Sequence, residues 1–225
     1  MKFFSGLRSN FAGIIDWCLS SLRHISPPRA LVLAATMIGG LTYAGLMVRH
    51  KDDAMRQELL MQTQLLASAI PQNLVQALSG TSDDLERPEY HRLKKILQAL
   101  QQQAPEYYFI YLAGQRPDGT IFFYLKAISP DSPNYLPPGL AYVEADPEYA
   151  DAVRRGDTLI NGPIKDRWGT WFSAQTPIID AKTDQPICTF GADITAANWY
   201  RKLLYHVMPC LVANLLLVII IALSP

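Results

Sequence analysis

Two long apolar blocks divide the chain. Ala30–Val48 is 19 residues long and Leu203–Leu223 is 21 residues long, and neither contains Asp, Glu, Lys or Arg. A helix rises 1.5 Å per residue, so roughly 20 apolar residues cross a bilayer. The first block starts too late and runs too long for a cleaved signal peptide. The pattern therefore predicts two membrane-spanning helices, at residues 30–48 and 203–225.

The polar part of the chain lies between these blocks. Its 154 residues, 49–202, hold 16 of the 20 Lys and Arg residues and 19 of the 20 Asp and Glu residues. The net charge of zero argues against a nucleic-acid partner. A hydrophobic content of 49% excludes a disordered chain, and three cysteines are too few for a disulfide scaffold. We therefore expect one folded domain between two spans.

The N-terminal arm, residues 1–29, orients the protein. It carries four basic residues and one acidic residue, so the arm is predicted to stay in the cytoplasm. Residues 49–202 then lie outside, which in a bacterium means the periplasm. The arm also has the apolar spacing of an amphipathic helix on the inner membrane surface. In the first span, the small-residue pairs Ala35/Gly39 and Gly40/Ala44 favour close helix approach and a homodimer.

Helical spacing marks the start of the exported domain. Lys51–Leu78 is predicted to continue the first span as a long helix, with a kink or a second helix beginning at Pro71. Pro88–Gln103 is predicted to form a further helix. The short segment Pro147–Arg154 has the same character and ends near Gly156.

Strand patterns follow the first helices. Tyr107–Leu112 and Thr120–Ala127 flank a Pro-Asp-Gly turn, which predicts a β-hairpin. Trp171–Ile179 and Pro186–Ile194 form a second strand pair, and the proline-rich segment Ser129–Tyr142 is a long loop. The last helix is predicted to begin at Thr195 or Asn198. Sequential hairpins after N-terminal helices predict an α+β fold with an antiparallel sheet.

One segment of the chain carries a family resemblance. It consists of the Gly-Pro…Asp-x-Trp-Gly-x-Trp-x-Ser-Ala run at residues 162–174, then Pro177-Ile178, then Gly191-Ala192-Asp193-Ile194. Residues 50–200 resemble the Cache/PDC-type extracytoplasmic sensor domains, which are PAS-like folds of bacterial membrane receptors. The likeness is greatest to the sensors of histidine kinases in two-component systems. Similar domains precede diguanylate cyclases and phosphodiesterases.

The resemblance implies a role in signal transduction. It makes the chain the input half of an inner-membrane receptor, with two spans and a periplasmic sensor. A family member would continue into a cytoplasmic output domain, and this sequence has no His-box, ATP-binding glycine motif or cyclase motif. We therefore expect no enzyme activity and no cofactor in this chain. The alternatives are a ligand-free structural module that dimerises or binds a protein, and the sensor of a cyclic-di-GMP enzyme.

Motifs for metal binding or catalysis are missing from the sequence. The four histidines have no metal-ligand spacing, and no Gly-x-Ser-x-Gly nucleophile elbow is present. A binding pocket remains, because six of the eleven tyrosines fall between Tyr107 and Tyr142. The predicted ligand is an amino acid, an organic acid or an amine. The candidate ligand-binding residues are Tyr111, Tyr124, Lys126, Tyr142, Trp171, Ser173 and Asp193.

Asp193 has two competing interpretations. A carboxylate at the end of an apolar strand is costly unless it has a partner. In related Cache domains an aspartate at the end of this strand contacts the amino group of the ligand. The alternative role is to cap the helix that begins at Thr195–Asn198. Lys126 and Arg116 are candidate partners of a ligand carboxylate, while Asp166, Trp168 and Trp171 are candidates for shaping the turn before the Trp171 strand.

Overall fold

The computed structural model describes residues 26–224. The predicted amphipathic arm lies almost wholly outside the described residues. Two compact units share the described residues: the domain unit is formed by residues 53–201, and the other unit by residues 26–52 and 202–224. The longest helices are α1, Pro27–Ser68, and α5, Ala196–Leu223.

Each long helix contains a segment that is long and apolar enough to cross a membrane. The most apolar 18-residue segment has a mean hydropathy of 1.9 in α1 and 2.5 in α5. Only 11% of this segment is buried in α1, and 6% in α5. An apolar surface left open in this way is typical of a helix in lipid. The chain is thus a mixed α+β protein in which two candidate transmembrane helices flank the folded domain.

A polar contact joins the two spans within their own unit. The Asn214 side chain of α5 donates a hydrogen bond to the Thr36 carbonyl of α1, with a distance of 3.0 Å. Gly40 makes this approach possible, because a β-carbon at that position would lie 1.8 Å from Asn214 Nδ2. Small residues let helix backbones come close in this manner. In this structure Gly40 therefore allows close contact between the two apolar helices of the same chain.

The second helix that was predicted to begin at Pro71 is present in the structure. α1 stops at Ser68 and does not reach Leu78, because Pro71 lacks the N–H that a continuing helix needs and disfavours helical geometry in the residue before it. Three further helices follow along the chain: α2 at Gln72–Gln76, a 3₁₀ helix at Ser82–Glu86, and the longer α3 at Pro88–Gln103.

Five antiparallel strands form the sheet, in the spatial order β2-β1-β5-β4-β3. The strands are β1 at Phe109–Gln115, β2 at Ile121–Lys126, β3 at Leu159–Asp166, β4 at Gly169–Ile179 and β5 at Pro186–Thr195. Helix α4, Pro147–Arg155, lies between β2 and β3 in the sequence and ends at Gly156. This is the α+β fold with a long N-terminal helix that the sequence predicts.

One strand departs from the predicted pattern. The segment before the Trp171 strand was predicted to be a turn, but most of it is β3, and Gly162-Pro163 lies inside this strand as a β-bulge. The bulge opposes two residues of β3 to one residue of β4, so Asn161 pairs with Ser173 and Ile164 pairs with Trp171. The turn itself is the Arg167-Trp168 connection to β4. β3 is thus the strand that the sequence patterns missed.

The two faces of the sheet are covered differently. The helix α3 packs against β1 and β2 on one face, where Ile110, Leu112 and Leu125 are fully buried. On the other face a core cluster forms beneath α4 and the segment before it. Its buried members are Phe109, Tyr111, Ala113, Ile121, Phe123, Leu136, Tyr149, Val153 and Trp171. This second face is rich in aromatic side chains and holds the candidate site.

The predicted loop Ser129–Tyr142 closes the free edge of β2. The Phe123 N–H donates to the Leu140 carbonyl at 3.0 Å, and the N–H of Gly139 donates back to the Phe123 carbonyl at 2.8 Å. The Tyr142 N–H donates to the Ile121 carbonyl at 2.8 Å. An edge strand covered by a loop is protected from pairing with other chains. The same hydrogen bonds fix Tyr142 beside the sheet.

Candidate functional site

A cavity opens between the aromatic face of the sheet and α4. Its empty space, counted out to the mouth, is about 500 Å³. The volume open to the centre of a water-sized molecule is about 30 Å³, which suits one or two waters. Side chains from all five strands, from α4 and from the segment before α4 line the cavity. Six of the seven predicted residues are among them: Tyr111, Lys126, Tyr142, Trp171, Ser173 and Asp193.

Asp193 lies in the middle of the sheet, where β5 runs between β1 and β4. Its neighbours across the ladder are Phe109 and Ser173. Only 7% of the residue is exposed, and this burial raises the pKa of its carboxyl to about 7. Hydrogen bonds from Ser173 and from Tyr111, the latter at 3.4 Å, oppose this rise. Asp193 is therefore a desolvated acid that faces the cavity.

The helix cap is provided by another residue. Thr195 Oγ1 accepts a hydrogen bond from the Asn198 N–H at 3.2 Å, the geometry of an N-cap at the start of α5. Asp193 is turned into the cavity, where Tyr111 and Ser173 contact its side chain. The N-cap of α5 is thus Thr195 and not Asp193.

Lys126 ends β2 and, among residues 26–224, is the only lysine that lines the cavity. It is 3% exposed, and this burial lowers the pKa of its ammonium to about 8, against the opposing charges of Asp193 and Asp166. Its Nζ lies 3.0 Å from the centroid of the Phe109 ring and 5.0 Å from that of the Trp168 ring. The side chain thus places a cation on aromatic faces.

Tyr124 is the predicted site residue that does not line the cavity. Along β2, Phe123 pairs with Ala113 and Leu125 pairs with Leu112, so Tyr124 is the extra residue of a β-bulge. Tyr124 therefore lies on the opposite face of the sheet, where its ring centroid is 4.7 Å from that of Phe122. Simple alternation would put Tyr124 and Lys126 on one face. The bulge separates them and directs only Lys126 into the cavity.

The Tyr111 ring lies across the centre of the cavity floor. It crosses directly over Gly191 of β5, where a β-carbon would lie 2.2 Å from Tyr111 Cζ. Only glycine admits this close approach. The Tyr111 hydroxyl donates to Asp193 Oδ1 and accepts a hydrogen bond from Gln175 Nε2, both at 3.4 Å. Burial raises the pKa of the Tyr111 phenol well above its ordinary value, so the group stays protonated.

Asp166 holds the rim of the cavity together. Its Oδ1 accepts from the backbone N–H of Trp168 at 2.8 Å, from that of Gly169 at 3.0 Å, and from Trp171 Nε1 at 2.8 Å. Its Oδ2 accepts from the Tyr142 hydroxyl at 3.4 Å. The architectural role expected of Asp166 and the two tryptophans is thus visible in the β3–β4 turn.

Arg116 lies outside the cavity. Its guanidinium donates to the Gly139 carbonyl at 2.8 Å and lies 5.4 Å from the centroid of the Phe122 ring. These contacts hold the loop against β2. The structure therefore leaves Lys126 as the candidate for meeting an anionic group in the cavity.

Some polar atoms of the cavity wall have no partner. Among the residues that the structure describes, the buried Asn161 amide nitrogen and oxygen and the buried Gln175 Oε1 make no hydrogen bond. Leaving a buried polar group unpaired costs about 1–3 kcal/mol. The Tyr149 hydroxyl, which also belongs to a lining residue, is buried without a hydrogen-bond partner as well. These atoms around one cavity are well suited to a polar guest, either water or a ligand.

Several lining residues were missed by the sequence patterns. Asn161 and Ile164 belong to β3, which was interpreted as a turn, and Tyr149 belongs to α4. Gln175 is a further lining residue that was missed, although the sequence could have predicted it. It stands two residues after Ser173 and four after Trp171, so strand alternation places all three on one face. Within residues 26–224, no group of three His, Cys, Asp or Glu side chains is arranged to hold a metal ion.

The comparisons with known proteins give similarities of fold. No family model and no curated protein sequence matches the chain. The isoleucine-bound sensory domain of the Campylobacter jejuni chemoreceptor Tlp3 is 16% identical, with a TM-score of 0.48, over 81% of this chain and 67% of that one. The L-Gln-bound ligand-binding domain of the Pseudomonas aeruginosa amino acid chemoreceptor PctB is 20% identical, with a TM-score of 0.42, over 72% and 57%.

A third similar structure is the periplasmic domain of RsbU from Chlamydia trachomatis. It is 15% identical, with a TM-score of 0.32, over 70% of this chain and 56% of that one. The chain thus spans between about half and two thirds of these solved domains. Sensory domains of bacteria are among the structures that this chain is similar to, as its sequence motif predicts.

Proposed function

We propose that residues 49–202 form a periplasmic sensor domain that binds a small amine-bearing metabolite, such as an amino acid or an amine. The two apolar helices anchor the domain in the inner membrane. The observation that carries the proposal is Asp193, a buried carboxylate with a raised pKa that faces a cavity. A buried titratable group with a perturbed pKa in a cleft is typical of a functional site.

The charges around the cavity favour a positively charged ligand group. In the part of the chain that the structure describes, the cavity is lined by four acidic residues, Glu144, Asp146, Asp166 and Asp193, and by one basic residue, Lys126. Arg167 neutralises Glu144 at the rim, where the two side chains form an ion pair. An ammonium group beside Asp193 would compensate part of the remaining negative charge, and it would hold the carboxyl in its ionised form.

Other lining groups are suited to the rest of the ligand. The unpaired Asn161 and Gln175 amides offer a donor and two acceptors, and the aromatic rings offer apolar contact. Organic acids are the alternative ligand class, in which the Lys126 ammonium would meet a carboxylate of the ligand. The free volume is small, so ligand entry requires the lining side chains, α4 or the segment before it to move.

Binding would act on the membrane helices by a population shift. A ligand that prefers one arrangement of the domain moves the equilibrium by its differential affinity. The output is proposed to be a histidine kinase, with a cyclic-di-GMP enzyme as the alternative, and the receptor is proposed to work as a homodimer. Recovery of the downstream reading frame in the genome tests the output directly.

The ligand proposal is tested by thermal unfolding of the purified full chain in detergent, with amino acids, amines, polyamines and organic acids added in turn. A ligand that binds only the native state raises the transition temperature. Asp193→Asn should weaken an amine hit by about tenfold or more, since breaking a desolvated charge pair costs about 2 kcal/mol or more. Asp131→Asn, at an exposed loop position, is the matched control.

Two results would contradict the proposal. A hit whose affinity is unchanged by Asp193→Asn would remove the role of that carboxylate. If no class of metabolite shifts the transition at millimolar concentration, the alternative of a ligand-free structural module takes its place.

A further inference from the structure

The cavity already contains a cation in its aromatic part. Lys126 Nζ lies 3.0 Å from the Phe109 ring centroid and 5.0 Å from the Trp168 ring centroid. Cations within about 6 Å of a ring centroid are attracted by the ring face, and the attraction grows when water is excluded. Because Lys126 is 3% exposed, this part of the cavity is a desolvated subsite for positive charge.

The surroundings of this subsite are anionic as well as aromatic. Asp193 and Asp166 both act electrostatically on Lys126 and favour its charged form. Without the lysine, the cavity would keep these two carboxylates and lose the basic side chain that lines it. The subsite is therefore suited to a cation whether or not that cation belongs to the chain.

Lys126 also occupies the space that a ligand needs. The remaining free volume accepts one or two waters, whereas the lysine side chain fills the floor between Phe109 and Trp168. Its backbone is fixed, because the Lys126 carbonyl accepts a hydrogen bond from Lys94 and the residue pairs with Tyr111 in the ladder. The four-carbon side chain is flexible, so the ammonium can move while the strand stays in place.

We propose that the Lys126 ammonium is a resident cation, which occupies the cation subsite of the cavity in the ligand-free protein and is displaced by the cationic group of the ligand. The proposal rests on the proposed function, that the cavity is a ligand site. It specifies the ligand class as compact organic cations, meaning primary or methylated ammonium compounds. It also gives Lys126 a regulatory role, because the ligand must compete with a cation that is tethered to the site.

The test measures binding of tetramethylammonium chloride to the full chain by isothermal titration calorimetry, with sodium chloride at equal ionic strength in the reference. Lys126→Met removes the resident charge and keeps a long apolar side chain. We expect Lys126→Met to bind tetramethylammonium about tenfold more tightly than the unmodified chain, since the competing cation is gone. Lys126→Arg should bind as weakly as the unmodified chain.

Two controls keep the result interpretable. Lys165→Met removes an exposed lysine from the neighbouring part of β3 and should leave the affinity unchanged. Tryptophan fluorescence during heating shows whether each variant is folded, and Lys126→Gln replaces Lys126→Met if the latter does not unfold cooperatively.

The outcomes separate this inference from the proposed function. Equal or weaker binding of tetramethylammonium by both neutral variants overturns the resident-cation proposal. If those variants instead lose binding of acetate, Lys126 is an anion-binding residue, and the cavity is still a ligand site. If neither the unmodified chain nor any variant binds an amine, a methylated ammonium or a carboxylate, both proposals fall together.

Discussion

Asp193 makes the stability of the domain depend on pH. Its pKa is raised to about 7 by burial, whereas an aspartate in an unfolded chain titrates near 4. The native state therefore holds a proton that the unfolded state releases between about pH 4 and pH 7. The stabilising contribution is fully present below this window and is lost as the pH rises through 7.

Asp193→Asn should therefore become relatively more stable as the pH rises. We expect the difference in melting temperature, variant minus unmodified chain, to be more positive at pH 8 than at pH 5. Each kcal/mol of difference corresponds to roughly 2–4 °C for a domain of this size. Tryptophan fluorescence during heating measures the transition. Asp131→Asn, at an exposed loop position, is measured alongside as the control, and a difference for Asp193→Asn that does not change with pH would contradict the prediction.

At the residue scale, alternation explains which of the predicted site residues line the cavity and which one does not. Trp171 and Ser173 share a face because β4 is regular, and Asp193 pairs with Ser173 on that face. Tyr124 lies outside the cavity because alternation breaks at the bulge, where Tyr124 and Leu125 follow one another on the same face. A bulge of this kind depends on pairing with β1, which local sequence does not specify.

At the element scale, a single buried lysine joins α3 to the sheet. The Lys94 ammonium donates to the Lys126 and Ile128 carbonyls at the end of β2 and lies 5.3 Å from the Tyr135 ring centroid. Burial lowers the pKa of Lys94 to about 8. These contacts anchor both the helix and the start of the Ser129–Tyr142 loop.

Lys94→Met should destabilise the domain by about 2 kcal/mol, because two carbonyls lose hydrogen bonds to a charged group. Lys95→Met is the matched control, since Lys95 is the exposed neighbour on the same helix. Urea denaturation of the full chain, followed by tryptophan fluorescence, gives both free energies of unfolding. Equal free energies of unfolding for the two variants would show that the Lys94 hydrogen bonds do not contribute to the stability of the domain.

Elements with strong local signals were predicted well. Proline at the first turn begins both α3 and α4, and the Pro-Asp-Gly sequence gives the hairpin of β1 and β2. β3 was missed because it is an edge strand interrupted by Gly162-Pro163, and its pairing with β4 is needed to recognise it. The end of α1 at Ser68 shows that the apolar spacing up to Leu78 serves two separate helices.

A junction behind the cavity connects α1 and α5 inside the domain unit. The Phe172 and Trp199 rings are stacked with centroids 4.3 Å apart, and the Arg56 guanidinium lies 5.1 Å from the Phe172 centroid. Arg56 also donates to the Gly162 carbonyl in the β3 bulge at 3.1 Å. Phe172 stands between Trp171 and Ser173, which line the cavity. A ligand-dependent shift of β4 would therefore reach the two helices that continue into the apolar segments.

At the scale of the whole molecule, the topology prediction has a direct test. The basic arm predicts a cytoplasmic N-terminus and a periplasmic domain. Alkaline phosphatase fused at Ser82 should be active, and the same enzyme fused at Asn10 should be inactive. β-Galactosidase fusions at the two positions serve as the reciprocal control. Opposite activities would place the domain in the cytoplasm and exclude a periplasmic sensor.

The proposed homodimer makes a prediction about the exposed side of α1. Within the domain unit, Met61 and Leu65 are 64% and 71% exposed, although both are apolar. Cysteine substitutions along this helix should crosslink between copies where side chains are exposed and fail where they face the domain core. We expect crosslinks at positions 54, 58, 61 and 65, and none at positions 55, 59, 63 and 67. A profile without this periodicity would contradict a dimer through α1.

The bulge at Tyr124 also determines where the domain can change length during evolution. Because Tyr124 has no partner in the ladder, its loss would leave Phe123 opposite Ala113 and Lys126 opposite Tyr111, as they are now. Deletion of one residue elsewhere in β2 would reverse the faces of the side chains beyond it. Relatives that differ by one residue at this point can therefore keep the same cavity, so a gap in an alignment here does not indicate a different ligand.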